Sequence, residues 1–482
     1  VYMFFVKLLL IIVPLIPSAL IAMTLEQKIG QLFVVPACQS HLEEVRNLLR
    51  NKHIGGILLL AGDSRSQVEM IQTLESEVDV WTFQDAEWGV GMRVNNVPPL
   101  PRNLTLGAIG DAELLKAFGR ELAYQCRSVG IQGNFAPVVD VNRNSKNPVI
   151  GRRSFGDDPE NVTRCGLSVL EGMQAGGILA CAKHFPGHGD TARDSHIDLP
   201  LLESVDLAPF QALIDAGVEM VMVGHLLYPP LSEEPSSLSH EIVTELLREK
   251  MGFKGLIATD ALNMKALTSH YEITEIAEKT LLAGTDLLVI EDPEFLEITI
   301  PRMIEHIRAT VPEDVIDEKV ERILAYKQRA VLPMPEENPM LKRTLYRAAL
   351  TQLGDVKGAS SIALVQSRPD PDLESALLQY AHVTVFSYEE MEMATNFPCI
   401  LINVRKGDIP TNLPERAIVT LFDTPYVLNE ISFNSALVGY EDVLEAKEAV
   451  ADALFGKLTP LGKLPIRLCK EWGGVYGSQS SE

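Results

Sequence analysis

The chain has 482 residues, enough for two or three domains with at least one large hydrophobic core. Apolar residues make up 46% and charged residues 22%, which is ordinary for a folded globular protein. The formal net charge of −23 argues against a nucleic acid or an anionic membrane surface as partner, because both favour a basic face.

The first 22 residues form an apolar segment with a single charge, Lys7. An apolar run followed by small residues, with a cleavage site after Ala22, is typical of a secretory signal peptide. We therefore expect export to the periplasm or cell envelope. A membrane anchor is one alternative, although Pro14 and Pro17 disfavour a full span. A mis-assigned start upstream of a cytoplasmic protein is the other.

From residue 31 onward, short apolar runs alternate with longer amphipathic ones. We predict eight strands, in the runs GQLFVVP, GGILLL, VWTFQD, NFAPVVD, GILACAKHF, VEMVMVGH, GLIATD and TDLLVI. The helical patterns between most of them open with Asp or Ser and close with Gly, which suits N-caps and C-caps. Strands that alternate with helical crossovers predict a (β/α)8 TIM-type barrel over residues 23–330.

A second, smaller domain is predicted after the barrel. Residues 331–340, VLPMPEENPM, carry three prolines and two glutamates and resemble a linker. A helical segment and the strand-like runs SIALVQS, HVTVFSY, CILINV, AIVTLF and SALVGY follow, with helical stretches between some of them. Residues 341–482 are therefore predicted to form an α/β sandwich domain.

Polar side chains end four of the predicted barrel strands. Asp85 ends VWTFQD, the pair Lys183–His184 ends ILACAKH, His225 ends VMVGH and Asp260 ends GLIATD. Catalytic groups of such barrels lie at the C-terminal ends of the strands. A helix cap or a turn accounts for an isolated Asp, but it accounts poorly for Lys and His.

The segment KHFPGHGDTARDSHIDLP, residues 183–200, is rich in titratable groups and lacks apolar periodicity, so we expect a loop with exposed functional side chains. A metal site is disfavoured, because Pro186, Gly187 and Gly189 break the region and it lacks the helical His spacing of zinc enzymes. We predict no metal and no cofactor. A purely structural polar loop is the other alternative.

Proton transfer is better supported for this loop. In Asp194-Ser195-His196 a carboxylate lies two residues from an imidazole, so it can reach a ring nitrogen, select the tautomer and raise the basicity of the ring. The triplet becomes informative together with Asp260, a carboxylate at the end of a predicted strand.

The motif KHFPGHGDTxxDSHxxLP resembles the signature of glycoside hydrolase family 3, in its β-N-acetylglucosaminidase (NagZ-type) branch. Three more segments agree in order: QDAEWGVGMR with the acidic motif after strand 3, IGRRSFGDDP with the arginine-containing loop, and GLIATDALNM with the nucleophile strand. The resemblance covers residues 24–330 strongly, and the ending KLPIRLC and the second domain resemble two-domain members more weakly.

The resemblance implies roles for three catalytic residues. Asp260 would be the nucleophile that forms a covalent glycosyl-enzyme. His196, oriented by Asp194, would act first as the acid and then as the base. Retaining glycosidases usually use two carboxyl groups, and a histidine on a loop departs from that template.

The resemblance also implies five substrate-binding residues. Lys183, His184 and Asp85 would hydrogen-bond sugar hydroxyls, and Arg153 would contact the bound sugar. Arg93, eight residues after Asp85, matches the spacing of a second substrate-contacting arginine.

The sequence departs from the family pattern after Asp85. Trp88-Gly89 replaces the usual double glycine, and Val90 stands where an arginine is often found. The nucleophile and the Asp194–His196 pair are untouched, so the departure concerns the rim of the pocket and the aglycone preference.

The leading hypothesis is a retaining exo-β-N-acetylglucosaminidase, a β-N-acetylhexosaminidase that acts on β-linked GlcNAc glycans or muropeptides derived from peptidoglycan. A β-glucosidase-like or phosphorylase member of the family is an alternative. A catalytically inactive sugar-binding protein is the alternative from another class, and the presence of Asp194, His196 and Asp260 argues against it. We infer no obligate protein partner.

Overall fold

The computed structural model describes residues 20–78, 80–191, 194 and 197–468. Residues 33–289 contain eight parallel strands: β1 Phe33–Ala37, β2 Gly56–Leu59, β3 Trp81–Gln84, β4 Gly133–Asn134, β5 Leu179–Phe185, β6 Met220–Val223, β7 Leu256–Thr259 and β8 Leu288–Val289.

These strands form a barrel. They lie in the order β7-β6-β5-β4-β3-β2-β1-β8. A parallel bridge between Ala258 and Leu287, with a hydrogen bond from Thr259 N to Leu287 O, brings β7 beside β8 and closes the ring. Most strands are buried throughout, which explains why the sequence reads as continuous apolar runs rather than alternating ones. The predicted barrel is confirmed.

Helices lie before, between and after the barrel strands: α1 Leu25–Gln31, α2 Leu42–Lys52, α3 Ser64–Glu75, α4 Asn103–Gly107, α5 Ala112–Ser128, α6 Pro159–Ala175, α7 Ala208–Asp215, α8 Lys265–Thr268, α9 Ile273–Ala283, α10 Thr299–Thr310 and α11 Glu313–Lys327, with a π-helix at Glu241–Lys250. The predicted caps are present on α5 and α6, where Asp111 and Asp158 accept hydrogen bonds from backbone N–H groups of the first turn. Helix α7 begins without a side-chain cap, so the predicted Ser opening is wrong there.

Strand β4 is much shorter than the run NFAPVVD suggests. Regular pairing ends at Asn134, and of the residues that follow only Val138 forms a bridge, with Lys183. Pro137 has no N–H for a ladder hydrogen bond, which accounts for the early end. The chain still follows β5 loosely, since Val139 N donates to Lys183 O. Asp140 is thereby held beside the end of β5.

The second domain contains a six-stranded sheet with β9 Thr351–Leu353, β10 Ser361–Gln366, β11 His382–Phe386, β12 Cys399–Val404, β13 Ile418–Leu421 and β14 Ser435–Val438. The order is β11-β10-β12-β13-β14-β9, and only β9, paired with β14, is antiparallel. The helices are α12 Leu341–Ala349, α13 Pro371–Leu378, α14 Met391–Ala394 and α15 Leu444–Leu454. The predicted α/β domain is confirmed, and the short strand β9 is an addition to it.

Between α11 and α12 the chain forms no helix or strand. It lies along the barrel, because Arg127 of α5 donates to the carbonyl oxygens of Leu332 and Pro333, and Asn338 N donates to the Glu121 carboxylate. Within the described residues, no helix has the length and hydropathy that crossing a membrane would require. The predicted signal segment lies almost entirely outside them.

Candidate active site at the mouth of the barrel

Buried charges of alternating sign connect the ends of β3 and β5. The Lys183 ammonium lies 2.7 Å from Asp85 Oδ1 and 2.9 Å from Glu87 Oε1. The Lys183 and Glu87 side chains are only 2% and 1% exposed, so each charge depends on its partners. Burial acts to lower the pKa of Lys183, but the two carboxylates outweigh it and raise that pKa above the usual value.

Arg153 extends this network from the 3-10 turn Gly151–Arg153. Its Nε and Nη2 donate to the two oxygens of Glu87 at 3.0 and 2.7 Å, a bidentate pair, and Nη2 also lies 3.2 Å from His184 Nε2. Burial acts to raise the pKa of Glu87, whereas Arg153 and Lys183 hold it well below its usual range.

Arg93 lies on the other side of Asp85. Its Nη2 donates to Asp85 Oδ2 at 2.9 Å and lies 3.7 Å from the Glu291 carboxylate. Asp85 is thus held between two cations, Lys183 and Arg93. Burial acts to raise its pKa, and these cations lower it below the usual value.

His184 is oriented by Asp140, a residue that the sequence analysis did not select. His184 Nδ1 lies 2.8 Å from Asp140 Oδ2, and Asp140 also accepts hydrogen bonds from the backbone N–H groups of His184 and His188. Because Arg153 can only donate, Nε2 of His184 accepts and Nδ1 carries the proton. The peptide bond between Lys183 and His184 is cis.

Asp260 directly follows β7. Its backbone N donates to Val223 O at 2.9 Å, and its Oδ1 accepts from Ala261 N at 2.8 Å. Burial acts to raise the pKa of Asp260, but electrostatic interactions with His184 and His225, the Ala261 N–H and the Lys183 ammonium lower it to about 2. Asp260 is therefore a carboxylate, not a carboxylic acid, near neutral pH.

His225 contacts the backbone next to Asp260. Its ring is fully buried, with Nδ1 2.8 Å from Ser237 Oγ and Nε2 3.0 Å from Ala261 O. Since a carbonyl oxygen only accepts, Nε2 carries the proton. Both ring nitrogens are thus used within the fold.

The loop after β5 is more buried than predicted. Lys183 and His184 belong to β5 itself, and His184, His188 and Thr191 are all buried, so the expectation of exposed side chains is wrong for this half. His188 Nδ1 lies 2.8 Å from Thr191 Oγ1, and burial lowers the pKa of His188 to about 4. Asn147 Nδ2 donates to His188 O. Hydrogen bonds to residues far away along the chain, such as Asn147, therefore make the burial of His188 possible.

Asp194 lies in the described part of the loop, but Ser195 and His196 lie outside it. The geometry of the predicted Asp194–His196 pair is therefore not described. The side chains of the described residues contain no group of three or more His, Cys, Asp or Glu arranged to hold a metal ion.

Six of the predicted site residues meet at one end of the barrel. Asp85 contacts both Arg93 and Lys183, and Arg153 contacts His184. Asp260 lies at the same end, near enough to His184 and the Lys183 ammonium for both groups to lower its pKa.

Glu87 and Asp140 were missed, although each had a signal. Glu87 lies two residues after Asp85, and Asp140 ends the run NFAPVVD as Asp85 and Asp260 end theirs.

A closed parallel barrel with carboxylates, cations and an imidazole at the C-terminal ends of its strands is the architecture of a TIM-barrel enzyme. Residues 24–326 match the family model described as "Glycosyl hydrolase family 3 N terminal domain", and the chain belongs to this family. The family resemblance of the sequence motifs is thereby confirmed.

The chain is 30% identical over 382 residues to a Cellulomonas fimi protein named "Beta-N-acetylglucosaminidase/beta-glucosidase", covering 71% of this chain and 65% of that protein. It is 34% identical over 269 residues to a "Beta-hexosaminidase" of Neisseria meningitidis serogroup B, covering 52% of this chain and 74% of the relative. The structure of a glycoside hydrolase family 3 β-N-acetylglucosaminidase from Paenibacillus sp. str. FPU-7 superposes with a TM-score of 0.78 at 28% identity, over 93% of this chain and 99% of that one.

Proposed function

We propose that the protein is a retaining exo-β-N-acetylglucosaminidase that removes terminal non-reducing GlcNAc from peptidoglycan-derived muropeptides. The observation that carries the proposal is the Asp260 carboxylate, which is ionised at neutral pH and lies at the end of a barrel strand beside the charged cluster that contains Lys183 and His184. An ionised carboxylate in this position can attack an anomeric carbon.

The reaction is a double displacement. In the first step Asp260 attacks the anomeric carbon, the glycosidic C–O bond breaks, and His196 protonates the departing oxygen. The product is a glycosyl ester of Asp260. In the second step His196 removes a proton from water, the water oxygen bonds to the anomeric carbon, and the ester bond to Asp260 breaks. Two inversions leave the sugar with its original β configuration.

The buried cluster suits recognition of sugar hydroxyls. The Lys183 ammonium has three N–H donors and uses two on Asp85 and Glu87, which leaves one for a hydroxyl. Arg153 and Arg93 add donors, and Asp85 adds acceptors. Because each charged group already has a partner of opposite sign, the cluster is rigid before the sugar binds, and little ordering entropy is lost.

The names of the relatives support the choice of sugar. The Cellulomonas fimi, Neisseria meningitidis and Paenibacillus proteins are all named for activity on N-acetylglucosaminides or hexosaminides. A role in turnover of the cell wall, with export to the cell envelope, follows from the motif resemblance and the apolar N-terminal segment. Identifying the N-terminal residue of the protein purified from its native envelope by mass spectrometry tests the export; an uncleaved N-terminus in the cytoplasmic fraction contradicts it.

Two observations favour a second candidate, a β-glucosidase activity; a phosphorylase of the same family is the further alternative that the phosphate arm of the test addresses. The Cellulomonas fimi relative is named for both β-N-acetylglucosaminidase and β-glucosidase activity, and Trp88 and Val90 depart from the β-N-acetylglucosaminidase pattern. The Arg102 guanidinium packs over the Trp88 ring, with Cζ 4.9 Å from the ring centre. This cation–π contact holds the Trp88 side chain in place.

Release of nitrophenol from the N-acetyl-β-glucosaminide and from the β-glucoside, each with and without phosphate, separates these activities. We expect kcat/KM to be higher for the N-acetylglucosaminide and independent of phosphate. Preference for the glucoside, or a rate that phosphate raises together with formation of a sugar phosphate, overturns the proposal. No turnover of either glycoside, with retained sugar binding, indicates a binding protein. Incubation with GlcNAc–anhydroMurNAc and mass spectrometry of the products then tests the muropeptide substrate.

A further inference from the structure

We propose that the second domain positions the sugar-binding arginine of the barrel through contacts of Tyr426, Asp423 and Glu441, the first two of which are tested below. The inference rests on the proposed function in one respect, the role of Arg153 in contacting the sugar. Arg153 itself lies in a turn of the barrel domain, and several supports of this turn are residues of the other domain.

Tyr426 supports the start of the turn through Asn142. Asn142 Nδ2 donates to the Tyr426 hydroxyl at 2.8 Å, and the hydroxyl lies 3.3 Å from Asn142 O, to which it donates. The remaining side-chain atom of Asn142, Oδ1, accepts from Gly151 N at 3.1 Å. Asn142 is fully buried, so this amide cannot exchange its partners for bulk water. The hydroxyl of Tyr426 thus orients the amide that holds the first residue of the turn.

Asp423 supports the middle of the turn directly. Its carboxylate forms an ion pair with the Arg152 guanidinium, and Arg152 is the residue before Arg153. The same carboxylate accepts hydrogen bonds from the backbone N–H groups of Thr424 and Lys406. Asp423 is therefore fixed within its own domain and can act as a rigid contact rather than as a mobile surface charge.

A third contact holds the end of the turn. Glu441 accepts hydrogen bonds from Arg102 N at 2.9 Å and from Thr105 Oγ1 at 2.6 Å, at the start of α4. Asn103, between them, donates to Arg153 O at 2.7 Å. The three contacts from the second domain reach the turn at its start, its middle and its end.

The position of the turn matters because Arg153 makes directional contacts. Both of its bonds to Glu87 and its approach to His184 depend on where its backbone lies. A shift of a fraction of an ångström weakens these contacts and moves the donors that are to meet the sugar. Asp260 follows β7, a separate element, so a shift of the turn should leave the position of the nucleophile unchanged. Loss of the support should therefore weaken sugar binding more than it slows the chemical steps.

The test compares Tyr426→Phe and Asp423→Asn with matched variants inside the second domain. Tyr440→Phe removes a buried hydroxyl that contacts Thr351 Oγ1 at 2.6 Å, and Asp452→Asn alters a carboxylate that pairs with Arg347 and Tyr380. Among the described residues, no hydrogen bond or ion pair joins either control side chain to the barrel turn. We expect Tyr426→Phe and Asp423→Asn each to raise KM for an aryl glycoside about three- to tenfold while kcat falls less than about threefold. The controls should leave KM unchanged at a comparable loss of thermal stability.

Two results overturn the inference. One is a KM no different from that of the controls. The other is a rise in KM and a fall in kcat that are equal in size and in proportion to the loss of thermal stability. The measurement uses whichever glycoside the wild-type protein hydrolyses, so a preference for the β-glucoside refutes the proposed substrate while leaving this comparison intact. If the wild type hydrolyses neither, calorimetric titration with N-acetylglucosamine replaces the kinetic assay, and Kd takes the place of KM.

Discussion

Asp260 is the side chain whose removal should have the largest effect. We expect Asp260→Asn to abolish turnover, because among the residues of the site no other is positioned at the end of β7 to form the covalent intermediate. The isosteric amide keeps the packing, so circular dichroism and thermal stability should remain near those of the wild type. Hydrolysis of an aryl glycoside is the measurement. Azide added to the variant should yield a glycosyl azide of opposite anomeric configuration, and a variant with substantial unaided activity would contradict the assignment.

His196 should matter in proportion to the difficulty of the leaving group. His196→Ala should slow glycosides with poor leaving groups by about 10²- to 10⁴-fold but activated aryl glycosides far less, because the latter depart with little protonation. With activated substrates, kcat/KM of this variant should stay flat from about pH 4 to 7, because the pKa of Asp260 is lowered to about 2. Equal losses on both substrate types, or an inflection near pH 4 to 5, would contradict these roles.

His188 should make the protein less stable in mild acid. Burial lowers the pKa of His188 to about 4, whereas an imidazole in the unfolded chain titrates near about 6.5. The unfolded state therefore takes up a proton between these values before the folded state does, so acidification favours unfolding by up to about 3 kcal/mol. Denaturant unfolding at pH 7 and pH 4.5 should show a smaller loss for His188→Asn than for the wild type.

The matched control for this measurement is His270→Asn, which replaces an exposed imidazole. It should lose as much stability on acidification as the wild type does. If His188→Asn and His270→Asn respond alike to pH, the acid sensitivity does not come from the buried ring.

For single residues, the sequence predicted which side chains lie in the site better than it predicted their hydrogen-bond and ion-pair partners. Asp85, Lys183 and Asp260 were found because a polar residue ended an apolar run. Glu87 and Asp140 were not selected, although each had a local signal, because their partners Arg153 and His184 lie far along the chain and only the fold brings them together. The burial of His188 was unexpected for a similar reason. Composition alone suggested exposure, and the hydrogen bonds with Thr191, Asn147 and Asp140 that permit burial form only in the folded chain.

Among the elements, the loop after β5 depends on one close approach of two backbones. A Cβ added to Gly189 would lie 1.8 Å from the carbonyl oxygen of Val141, which is far inside contact distance. Gly189→Ala should therefore displace the loop, cost about 1–3 kcal/mol of stability and lower kcat/KM, because Asp194 follows Gly189 in the same loop. Thermal unfolding and the aryl glycoside assay measure the two effects.

Gly110→Ala is the control for the loop variant, because a Cβ there meets no atom within 4 Å. It should change neither quantity measurably. Wild-type activity in Gly189→Ala at reduced stability would indicate that the position of the loop does not limit the reaction.

Strands were predicted well where burial alone decides them and poorly where pairing does. The apolar runs of β1, β2, β6 and β7 are sufficient signals by themselves. Strand β4 ends early, at Asn134, because of the nearby Pro137, a local feature that the apolar residues around it obscured. Strand β9 has the polar sequence TQL, and it exists because β14 offers it an edge far along the chain. No pattern within three residues can report such a partner.

For the whole molecule, the barrel should carry the catalytic groups and the second domain should support them. A chain ending at residue 335 would lose the Asp423, Tyr426 and Glu441 contacts and expose part of the apolar cluster that includes Leu345 and Val365. We expect it to lose solubility or thermal stability before its active-site residues change. Expression yield and the midpoint of thermal unfolding are the measurements.

In the full chain, single changes of Asp, Glu or His beyond residue 341 should leave kcat within about tenfold, or roughly 1.4 kcal/mol. A folded variant of this kind with kcat reduced a thousandfold would move the acid/base to the second domain and favour a β-glucosidase-like enzyme. The existence of two domains was predictable from the proline-rich segment between them. Their contacts were not, because Asp423 and Arg152 are ordinary charged residues until the fold brings them together.

The segment 331–340 is fastened to α5 by Arg127 and Glu121 rather than hanging free. A tether held in this way keeps the second domain at a high effective concentration beside the barrel. Asp423, Tyr426 and Glu441 therefore need little affinity of their own, since contacts too weak to join two separate molecules persist when neither partner can diffuse away. We therefore expect a substitution at Arg127, at the opposite end of the barrel from the proposed sugar site, to lower this effective concentration. The substitution would thereby weaken the contacts that support the site.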